Sequence, residues 1–303
     1  MNSPALSADV LIIGGGPAGL SAALYLGRAC KSVLVLDAGV PRHRVSAGVH
    51  NFITREGTPP AELRRLAYAE LQQFEKVTFA HGVEVASLSS DGRLCTVVDV
   101  AGREYRSRAV LIATGVIDEH PPMDGLHERW GKSVHHCPYC HGWEMRGQPI
   151  AVVGTGMEGS MKSRLLRGWT DDVVLLTNDR PLAPEFAAEV GAAGIPVLNQ
   201  RIVALEGPGE NLERIIFADG TSLERSGLFL DGAQRQVPFI ERSGIELDEK
   251  GGYIRVDERL QTSMPLVWAA GDVTSRMQQV IWAAAQGGAA AAHLNAVLTL
   301  SPR

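Results

Sequence analysis

Two stretches of the chain share one order of apolar and polar positions. In the first, residues 10–13 form a continuous apolar run, a glycine turn and a helical stretch follow, and residues 33–36 form a second apolar run that ends at Asp37. Continuous apolar runs of this length are typical of parallel strands that are covered on both faces. The pattern therefore predicts a strand, a helix and a second strand at the start of an α/β domain.

The same order returns in the second half of the chain, where the second apolar run, residues 173–176, ends at Thr177. Each unit is followed by a helical stretch and then by short strands with Asp-Gly or Gly-Arg turns. These segments are residues 60–76 and 83–113 in the first half, and residues 183–193 and 201–230 in the second. We predict two Rossmann-like domains with the same plan.

The last third of the chain is too short for a third domain. Residues 266–270 form one more apolar strand, and residues 280–300 form a long, alanine-rich helical stretch. We expect this part to return and complete the first domain. The predicted domains are therefore residues 1–116 with 243–303, and residues 117–242.

The first glycine turn carries a dinucleotide-binding fingerprint. Gly14, Gly16 and Gly19 form G-x-G-x-x-G between a strand and a helix, and Asp37 ends the next strand. The glycines let the backbone approach a pyrophosphate, the helix N-terminus offers free N–H groups, and an acidic residue at this place binds ribose hydroxyls. On these residues alone the ligand is either NAD or FAD.

Two later motifs favour FAD. Ala113-Thr114-Gly115 closes the first group of short strands, and Gly271-Asp272 precedes the last helix. An aspartate at the end of a strand can hold the ribityl hydroxyls of an extended flavin. The alternative for Asp272 is an N-cap of the following helix.

Composition and charge exclude several classes of protein. The chain has 303 residues, of which 45% are hydrophobic, and its net charge of −5 gives no basic surface for nucleic acid or an anionic membrane. The N-terminal MNSPALSAD shows no export signal, and polar residues interrupt the apolar stretch 280–300, so no membrane span is expected. We expect a cytoplasmic protein, in which a disulfide is more often catalytic than structural.

The most specific motif is the C-x-x-C formed by Cys137 and Cys140, with His141 directly after it and His135 and His136 before it. Two thiols at this spacing can close an exchange-prone disulfide. C-x-x-C-H also occurs at haem attachment sites, C-P-Y-C occurs in glutaredoxins, and zinc would need a second Cys or His pair. A redox disulfide beside a flavin domain fits best, with no metal. We expect the two other cysteines, Cys30 and Cys95, to be buried.

These motifs, in this order and spacing over nearly the whole chain, resemble the low-molecular-weight thioredoxin reductases. The resemblance implies two domains of the pyridine nucleotide-disulfide oxidoreductase type, FAD in the first, a redox disulfide facing the flavin, and a homodimer. It implies an FAD site that includes Asn51 and Gln279 near the flavin ring. The predicted FAD-binding residues are Gly14, Gly16, Pro17, Ala18, Gly19, Asp37, Ala38, Arg42, Asn51, Ala113, Thr114, Gly115, Gly271, Asp272, Gln279 and Val280.

The chain departs from the reductases where they bind NADPH. Their second strand ends in His-Arg-Arg, whose arginines hold the 2′-phosphate, whereas this chain has Thr177-Asn178-Asp179. Glu158 adds negative charge at the helix start where a pyrophosphate would lie. The second glycine fingerprint is therefore interpreted as a remnant of the fold. Binding of NAD, with Asp179 on its ribose, remains the alternative.

A second departure is His141, because the reductases have an aspartate after the second cysteine. The segment CPYCHGWE, with the preceding histidines and Arg42-His43-Arg44, is similar to the FAD-dependent dithiol oxidases that form disulfides in gliotoxin- and holomycin-type natural products. The resemblance implies that a small dithiol is exchanged at Cys137, that Cys140 passes electrons to FAD, and that oxygen becomes hydrogen peroxide.

Acid–base chemistry on the thiols is assigned to His141 first and to His136 second. Two other functions remain open. One is an NAD(P)H-dependent disulfide reductase that acts on a protein partner, and the other is a flavin redox module that ferredoxin reduces.

Overall fold

The computed structural model describes residues 7–230, 232–249 and 252–300. The first six residues, part of the segment in which we sought an export signal, lie outside this range. Strands in the described part are β1 (Ala8–Ile13), β2 (Val33–Asp37), β3 (Val77–His81), β4 (Val85–Ser90), β5 (Cys95–Asp99), β6 (Glu104–Ile112), β7 (Ile117–Glu119), β8 (Val134–His135), β9 (Ile150–Val153), β10 (Val173–Leu176), β11 (Val197–Leu198), β12 (Ile202–Glu206), β13 (Arg214–Phe217), β14 (Ser222–Glu224), β15 (Gly227–Leu230), β16 (Ala233–Arg235) and β17 (Val267–Ala269). The α-helices are α1 (Pro17–Arg28), α2 (Pro60–Leu71), α3 (Leu126–Arg129), α4 (Pro138–His141), α5 (Gly156–Leu166), α6 (Pro184–Ala192), α7 (Pro238–Ser243) and α8 (Val280–Leu300).

The described residues form two compact units that the chain enters more than once. Unit 1 comprises Met1–Arg44, Asn51–Ile117 and Gln234–Arg303, and unit 2 comprises Val45–His50 and Asp118–Ala233.

The central sheet of unit 1 has the strand order β3-β2-β1-β6-β5-β4, with β17 also paired to β6. Strands β3, β2, β1, β6 and β17 pair in parallel, whereas β4, β5 and β6 form an antiparallel meander. Val10 and Ile12 are buried in a cluster on one face of β1, and Leu11 and Ile13 are buried in a cluster on the other. Burial of both faces explains the continuous apolar runs, and the prediction of an α/β fold is confirmed.

Helices α1 and α8 pack closely against one face of this sheet. A Cβ atom at Gly287 would lie 2.0 Å from the backbone oxygen of Ala18, so only glycine permits this approach of the two helices. The predicted long helix is confirmed, with small residues at its contact with α1. Among the helices of the described residues, α8 included, none is both long and apolar enough to span a bilayer.

The main sheet of unit 2 is parallel, with the order β11-β10-β9-β15-β8. The predicted strand–helix–strand unit is present as β9, α5 and β10. In unit 1 the meander extends the central sheet, but in unit 2 strands β12, β13 and β14 form a separate antiparallel sheet. The two halves therefore share the strand–helix–strand unit and differ in where their meanders pair.

The division of the chain differs from the expected boundaries in three places. Residues 234–242, expected in the second domain, belong to unit 1, where the buried Gln236 amide donates to the carbonyl oxygens of Gly252 at 2.9 Å and Val273 at 3.3 Å. Ile117, also expected in the second domain, belongs to unit 1, and residues 45–50, expected in the first domain, belong to unit 2. None of these departures can be read from the spacing of apolar residues.

The two cysteines outside the C-x-x-C motif differ in exposure. Cys95 is buried in β5, as predicted. The prediction that Cys30 is buried is wrong, because Cys30 follows the C-terminus of α1 with a φ angle of 58° and lies at the surface. A left-handed residue at the end of a helix turns the chain outward, which explains the exposure of this thiol.

Candidate active site

In the first glycine turn Gly14 and Gly19 are closely packed, whereas Gly16 faces open space. Gly14 has a φ angle of +119°, and a Cβ there would lie 2.2 Å from the oxygen of Ala113. A Cβ at Gly19 would lie 2.0 Å from the oxygen of Gly14, but at Gly16 it would meet no described atom within 4 Å. The open space lies at the N-terminus of α1, which begins at Pro17. Free amide groups and the helix dipole meet there, so the turn fits the pyrophosphate of FAD.

The carboxylate of Asp37 is buried at the end of β2 and oriented by three donors. It accepts hydrogen bonds from the Gly39 N–H at 2.9 Å and the Tyr68 hydroxyl at 2.7 Å, and from the Arg64 guanidinium. Burial alone would raise the pKa of Asp37, but these hydrogen bonds and the charge of Arg64 outweigh it and hold the pKa below its usual value. Asp37 is therefore ionised, the form that accepts hydrogen bonds from a ribose.

Arg64 and Tyr68 were not among the predicted site residues. They are four residues apart on α2, so they lie on the same face of that helix. A Cβ at Gly15 would come within 2.5 Å of Asp37 Cγ and 2.7 Å of the Tyr68 hydroxyl, which shows how closely the glycine turn approaches this group. The spacing was visible in the sequence, but the strand that α2 faces was not.

The segment around Asp272 is joined to Arg42 within unit 1. Arg42 donates to Asp272 Oδ2 at 3.3 Å and to Gln278 Oε1 at 2.7 Å. Asp272 begins a short 3₁₀ helix directly after Gly271, whose φ angle is +86°. Helix α8 begins only at Val280, so the alternative that Asp272 caps this helix is wrong.

The remaining predicted FAD-binding residues also lie in unit 1. Gly115, with a φ angle of +68°, follows β6, and the Gln279 carbonyl accepts from the Ala283 N–H at 2.9 Å in the first turn of α8. Asn51 has a φ angle of 61°, and its N–H donates to Glu56 at 2.8 Å. Their contacts with FAD stay predictions.

The two cysteines of the C-x-x-C motif lie side by side in one turn. Cys137 directly precedes α4, and its carbonyl oxygen accepts a hydrogen bond from the N–H of Cys140 at 3.2 Å. This turn brings the two free thiols together, with Cys140 Sγ donating to Cys137 Sγ at 2.7 Å. The hydrogen bond from Cys140 lowers the pKa of Cys137 to about 6 despite burial, and His136 adds a smaller lowering. At neutral pH, Cys137 is therefore largely the nucleophilic thiolate.

A cluster of histidines lies beside this turn in unit 2. The ring of His141 stacks on the ring of His135 with centroids 4.1 Å apart, and it meets His50 edge-on at 6.0 Å. Nε2 of His141 lies 3.2 Å from Ser46 Oγ, and His50 Nε2 lies 3.6 Å from the Glu144 carboxylate. Ser46 and His50 come from residues 45–50, so this distant segment contributes directly to the surroundings of His141.

Burial keeps two of these histidines neutral. It lowers the pKa of His141 to about 4, with a further contribution from His50, and it lowers the pKa of His135 well below 6.5. His135 is only 2% exposed. At pH 7 the ring of His141 is therefore a neutral imidazole, and the same burial disfavours its protonated form.

No group of three or more His, Cys, Asp and Glu side chains within the described residues has the arrangement of a metal site. The rings of His135 and His141 stack at an interplanar angle of 17°, whereas shared metal ligands must point nitrogen atoms at one centre.

The end of β10 is occupied by hydrogen bonds internal to unit 2. Thr177 is 1% exposed, and its hydroxyl bonds to the Asn199 side chain. Asn178 Oδ1 accepts from the Ile202 N–H at 2.7 Å, and the Asp179 N–H donates to the Asn199 carbonyl at 2.8 Å. Of the three residues at the place of the reductase His-Arg-Arg, Thr177 and Asn178 therefore use their side chains in hydrogen bonds within unit 2.

The second glycine fingerprint is accounted for by packing. A Cβ at Gly154 would lie 2.9 Å from Gly159 Cα, and a Cβ at Gly159 would lie 2.7 Å from the Gly154 carbonyl carbon. The strand–helix turn thus needs these glycines whether or not a nucleotide binds. Glu158 lies in the first turn of α5, where it opposes an anionic ligand.

Comparison with known proteins assigns this architecture to a family. The pyridine nucleotide-disulphide oxidoreductase model matches residues 8–287, and the chain belongs to that family. The protein is a thioredoxin reductase-like flavoprotein oxidoreductase, and its cofactor is FAD. The resemblance stated from the motifs is confirmed.

Similar proteins include two fungal proteins and one solved structure. Thioredoxin reductase sirT of Leptosphaeria maculans is 30% identical over 313 residues, which cover 95% of this chain and 93% of that protein. Thioredoxin reductase tcpT of Claviceps purpurea (strain 20.1) is 32% identical over 292 residues, covering 90% and 88%. The crystal structure of HlmI has 34% identity and a TM-score of 0.90, covering 99% of this chain and 94% of that one.

Proposed function

We propose that the protein is an FAD-dependent dithiol oxidase that closes a disulfide in a small-molecule dithiol, with oxygen as the electron acceptor. The observation that carries the proposal is the end of β10. There Thr177 and Asn178 are held in hydrogen bonds within unit 2, and Asp179 adds negative charge where the reductases bind the phosphate of NADPH. Without that source of electrons, the flow that remains is from a thiol substrate to FAD.

The exchange steps follow from the geometry of the cysteine pair. In the oxidised enzyme a substrate thiolate attacks Cys137 Sγ, and Cys140 leaves as a thiolate. The second substrate thiolate then attacks the substrate sulfur of the mixed disulfide, which releases the product disulfide and the Cys137 thiolate. Once Cys140 has taken up a proton, its hydrogen bond to Cys137 Sγ, which lowers the pKa of Cys137 to about 6, makes Cys137 a good leaving group in this second step. FAD supplies the two-electron acceptor that returns the cysteine pair to a disulfide, and oxygen takes up these electrons as hydrogen peroxide.

His141 is the residue we assign to proton transfer. Its imidazole is neutral at pH 7 and follows Cys140 directly in the chain, so it can accept a proton from a substrate thiol. His136 is the second candidate, because it lies directly before Cys137 and interacts electrostatically with its thiol. The backbone oxygen of His136 accepts a hydrogen bond from the buried Lys162 ammonium at 2.9 Å, which holds the backbone just before Cys137.

Two of the similar proteins, sirT and tcpT, are named thioredoxin reductases, and that name favours the alternative, an NAD(P)H-dependent disulfide reductase. The two functions differ in the direction in which electrons cross the cysteine pair.

Anaerobic reduction of the flavin separates the two functions. We expect NADPH at micromolar concentrations to bleach the FAD absorbance only slowly, because Asn178 and Asp179 stand where the reductases place arginines on its 2′-phosphate. NADH has no 2′-phosphate, and we expect it to act slowly because Glu158 in the first turn of α5 opposes its pyrophosphate. Dithiothreitol should bleach the same sample through the cysteine pair, which serves as the positive control. Rapid bleaching by either nucleotide would overturn the oxidase proposal in favour of the reductase.

A further inference from the structure

The ring of His141 is held by two contacts of different kinds. His135 stacks on it at 4.1 Å with an interplanar angle of 17°, which fixes the plane of the ring. Ser46 Oγ lies 3.2 Å from Nε2, which fixes the rotation of the ring within that plane. Together the two contacts determine where the other ring nitrogen, Nδ1, points.

The hydroxyl proton of Ser46 is already used in a hydrogen bond to a backbone carbonyl. Ser46 Oγ donates to the Gly48 carbonyl oxygen at 2.8 Å, a usual length for such a bond, and a carbonyl can only accept. Because a serine hydroxyl has one proton, Ser46 Oγ can only accept from His141. Nε2 of His141 must therefore carry the proton, which assigns the tautomer from the hydrogen-bond network.

The assigned tautomer determines the state of the other ring nitrogen of His141, Nδ1. In the neutral Nε2–H tautomer, Nδ1 carries a lone pair. Nδ1 is buried and has no hydrogen-bond partner within residues 7–230, 232–249 and 252–300. Leaving a buried acceptor unpaired is costly, so a site that keeps one is suited to a group that arrives with a proton.

The groups that face His141 do not offer that proton. His135 on β8 is neutral because burial lowers its pKa, and its ring is stacked on that of His141, so its N–H lies in a nearly parallel plane and does not point at Nδ1. Ser46 already donates its proton to Gly48. His50, from the same segment as Ser46, points Nε2 at the Glu144 carboxylate at 3.6 Å.

We propose that Ser46 is a positioning residue that holds His141 as the Nε2–H tautomer, so that Nδ1 takes the proton of a substrate thiol. The S–H bond breaks, its electron pair stays on sulfur as the thiolate, and the proton passes to Nδ1 to give an imidazolium, which later releases it to solvent. This inference rests on the proposed oxidase function for its substrate, but the tautomer itself belongs to the protein alone.

The tautomer is measured by ¹⁵N NMR of holoenzyme labelled at histidine, with the His141 signals assigned by loss in His141→Ala. We expect one protonated nitrogen, Nε2, in the wild type. Ser46→Ala should mix the two tautomers, because the acceptor that selects Nε2–H is gone. Ser46→Thr keeps a hydroxyl and should restore the wild-type spectrum. A wild-type His141 protonated at Nδ1 would overturn the proposal, and so would an unchanged spectrum in Ser46→Ala.

A second experiment, a kinetic one, measures the rate at which a dithiol reduces the flavin. Ser46→Ala should lower this rate about tenfold, the effect of one hydrogen bond of ordinary strength, and Ser46→Thr should recover most of it. Ser163→Ala is the matched control, since it removes another unit 2 serine hydroxyl that donates to a backbone carbonyl, that of Ser160 at 3.0 Å. An equal loss in Ser163→Ala would contradict a specific role for Ser46.

The two arms separate this inference from the proposed function. If the His141 tautomer depends on Ser46 but the protein oxidises no dithiol, the result would contradict the proposed oxidase function. It would still support the inference that Ser46 selects the tautomer of His141. Dithiol oxidation that proceeds equally with and without the Ser46 hydroxyl would support the oxidase and contradict the role of Ser46.

Discussion

Replacement of Cys137 by serine is expected to abolish dithiol turnover while FAD stays bound. We expect a loss of at least about 10³-fold, because the serine hydroxyl is not ionised at neutral pH and cannot form the mixed disulfide. The wild-type thiol has a pKa of about 6, owing first to its hydrogen bond from Cys140, and the substitution removes the sulfur that carries the mixed disulfide and then leaves as a thiolate. Oxygen uptake and the flavin spectrum measure the two parts of this prediction. Cys140→Ser should give the same loss, because no disulfide can then close.

The other two cysteines provide matched controls for the same experiment. Burial raises the pKa of Cys95 to about 11, and its Sγ faces the Leu266 carbonyl oxygen at 3.6 Å, so Cys95→Ser should affect stability at most. Cys30 is exposed at the end of α1, and Cys30→Ser should leave turnover unchanged. Full activity in Cys137→Ser, or loss of turnover in Cys30→Ser, would show that exchange does not occur at the C-x-x-C turn.

Replacement of His141 by alanine is expected to slow the thiol step by about 10²–10⁴-fold, the usual effect of losing a general acid–base group. Its ring is neutral at pH 7 and so has one unprotonated nitrogen for the thiol proton, and its removal leaves both cysteines in place. Anaerobic stopped-flow reduction of the flavin by a dithiol measures the step. The flavin should stay bound, since the residues we assign to FAD lie in unit 1 and His141 lies in unit 2.

His120→Ala is the matched control for the loss of a half-buried, ring-packed histidine in unit 2, because His120 packs against Trp130 with centroids 4.3 Å apart. It should keep the wild-type rate. His136→Ala should have the smaller effect of the two candidate bases. A rate for His141→Ala within a few-fold of wild type would remove the assignment to His141, and a larger loss in His136→Ala would transfer it there.

The sequence was most informative where local patterns are sufficient. The runs that became β1, β2, β9 and β10 were readable because parallel strands bury both faces, and α8 was readable from its length and small residues. The glycine fingerprint identified the turn around Gly14, whose packing leaves no room for a side chain. These features depend on neighbours that are close in the chain.

The sequence was least informative where distant segments meet. The joining of Val45–His50 to unit 2 is invisible in any periodic pattern, yet it brings Ser46 to His141. The partners of Asp37 come from α2, and a helix pattern does not say which strand it faces. The surface position of Cys30 follows from one left-handed residue after α1. Each depends on tertiary contacts that spacing alone does not encode.

The most direct test of the central claim is oxygen uptake by the purified protein with small dithiols and no added nicotinamide. The account predicts oxygen consumption with release of hydrogen peroxide, slow with dithiothreitol and faster with the dithiol that fits the site, because exchange depends mainly on thiolate access and pKa. Cys137→Ser should show neither uptake nor peroxide. Absence of uptake with every dithiol, together with reduction of a protein disulfide driven by NADPH or NADH, would contradict the account.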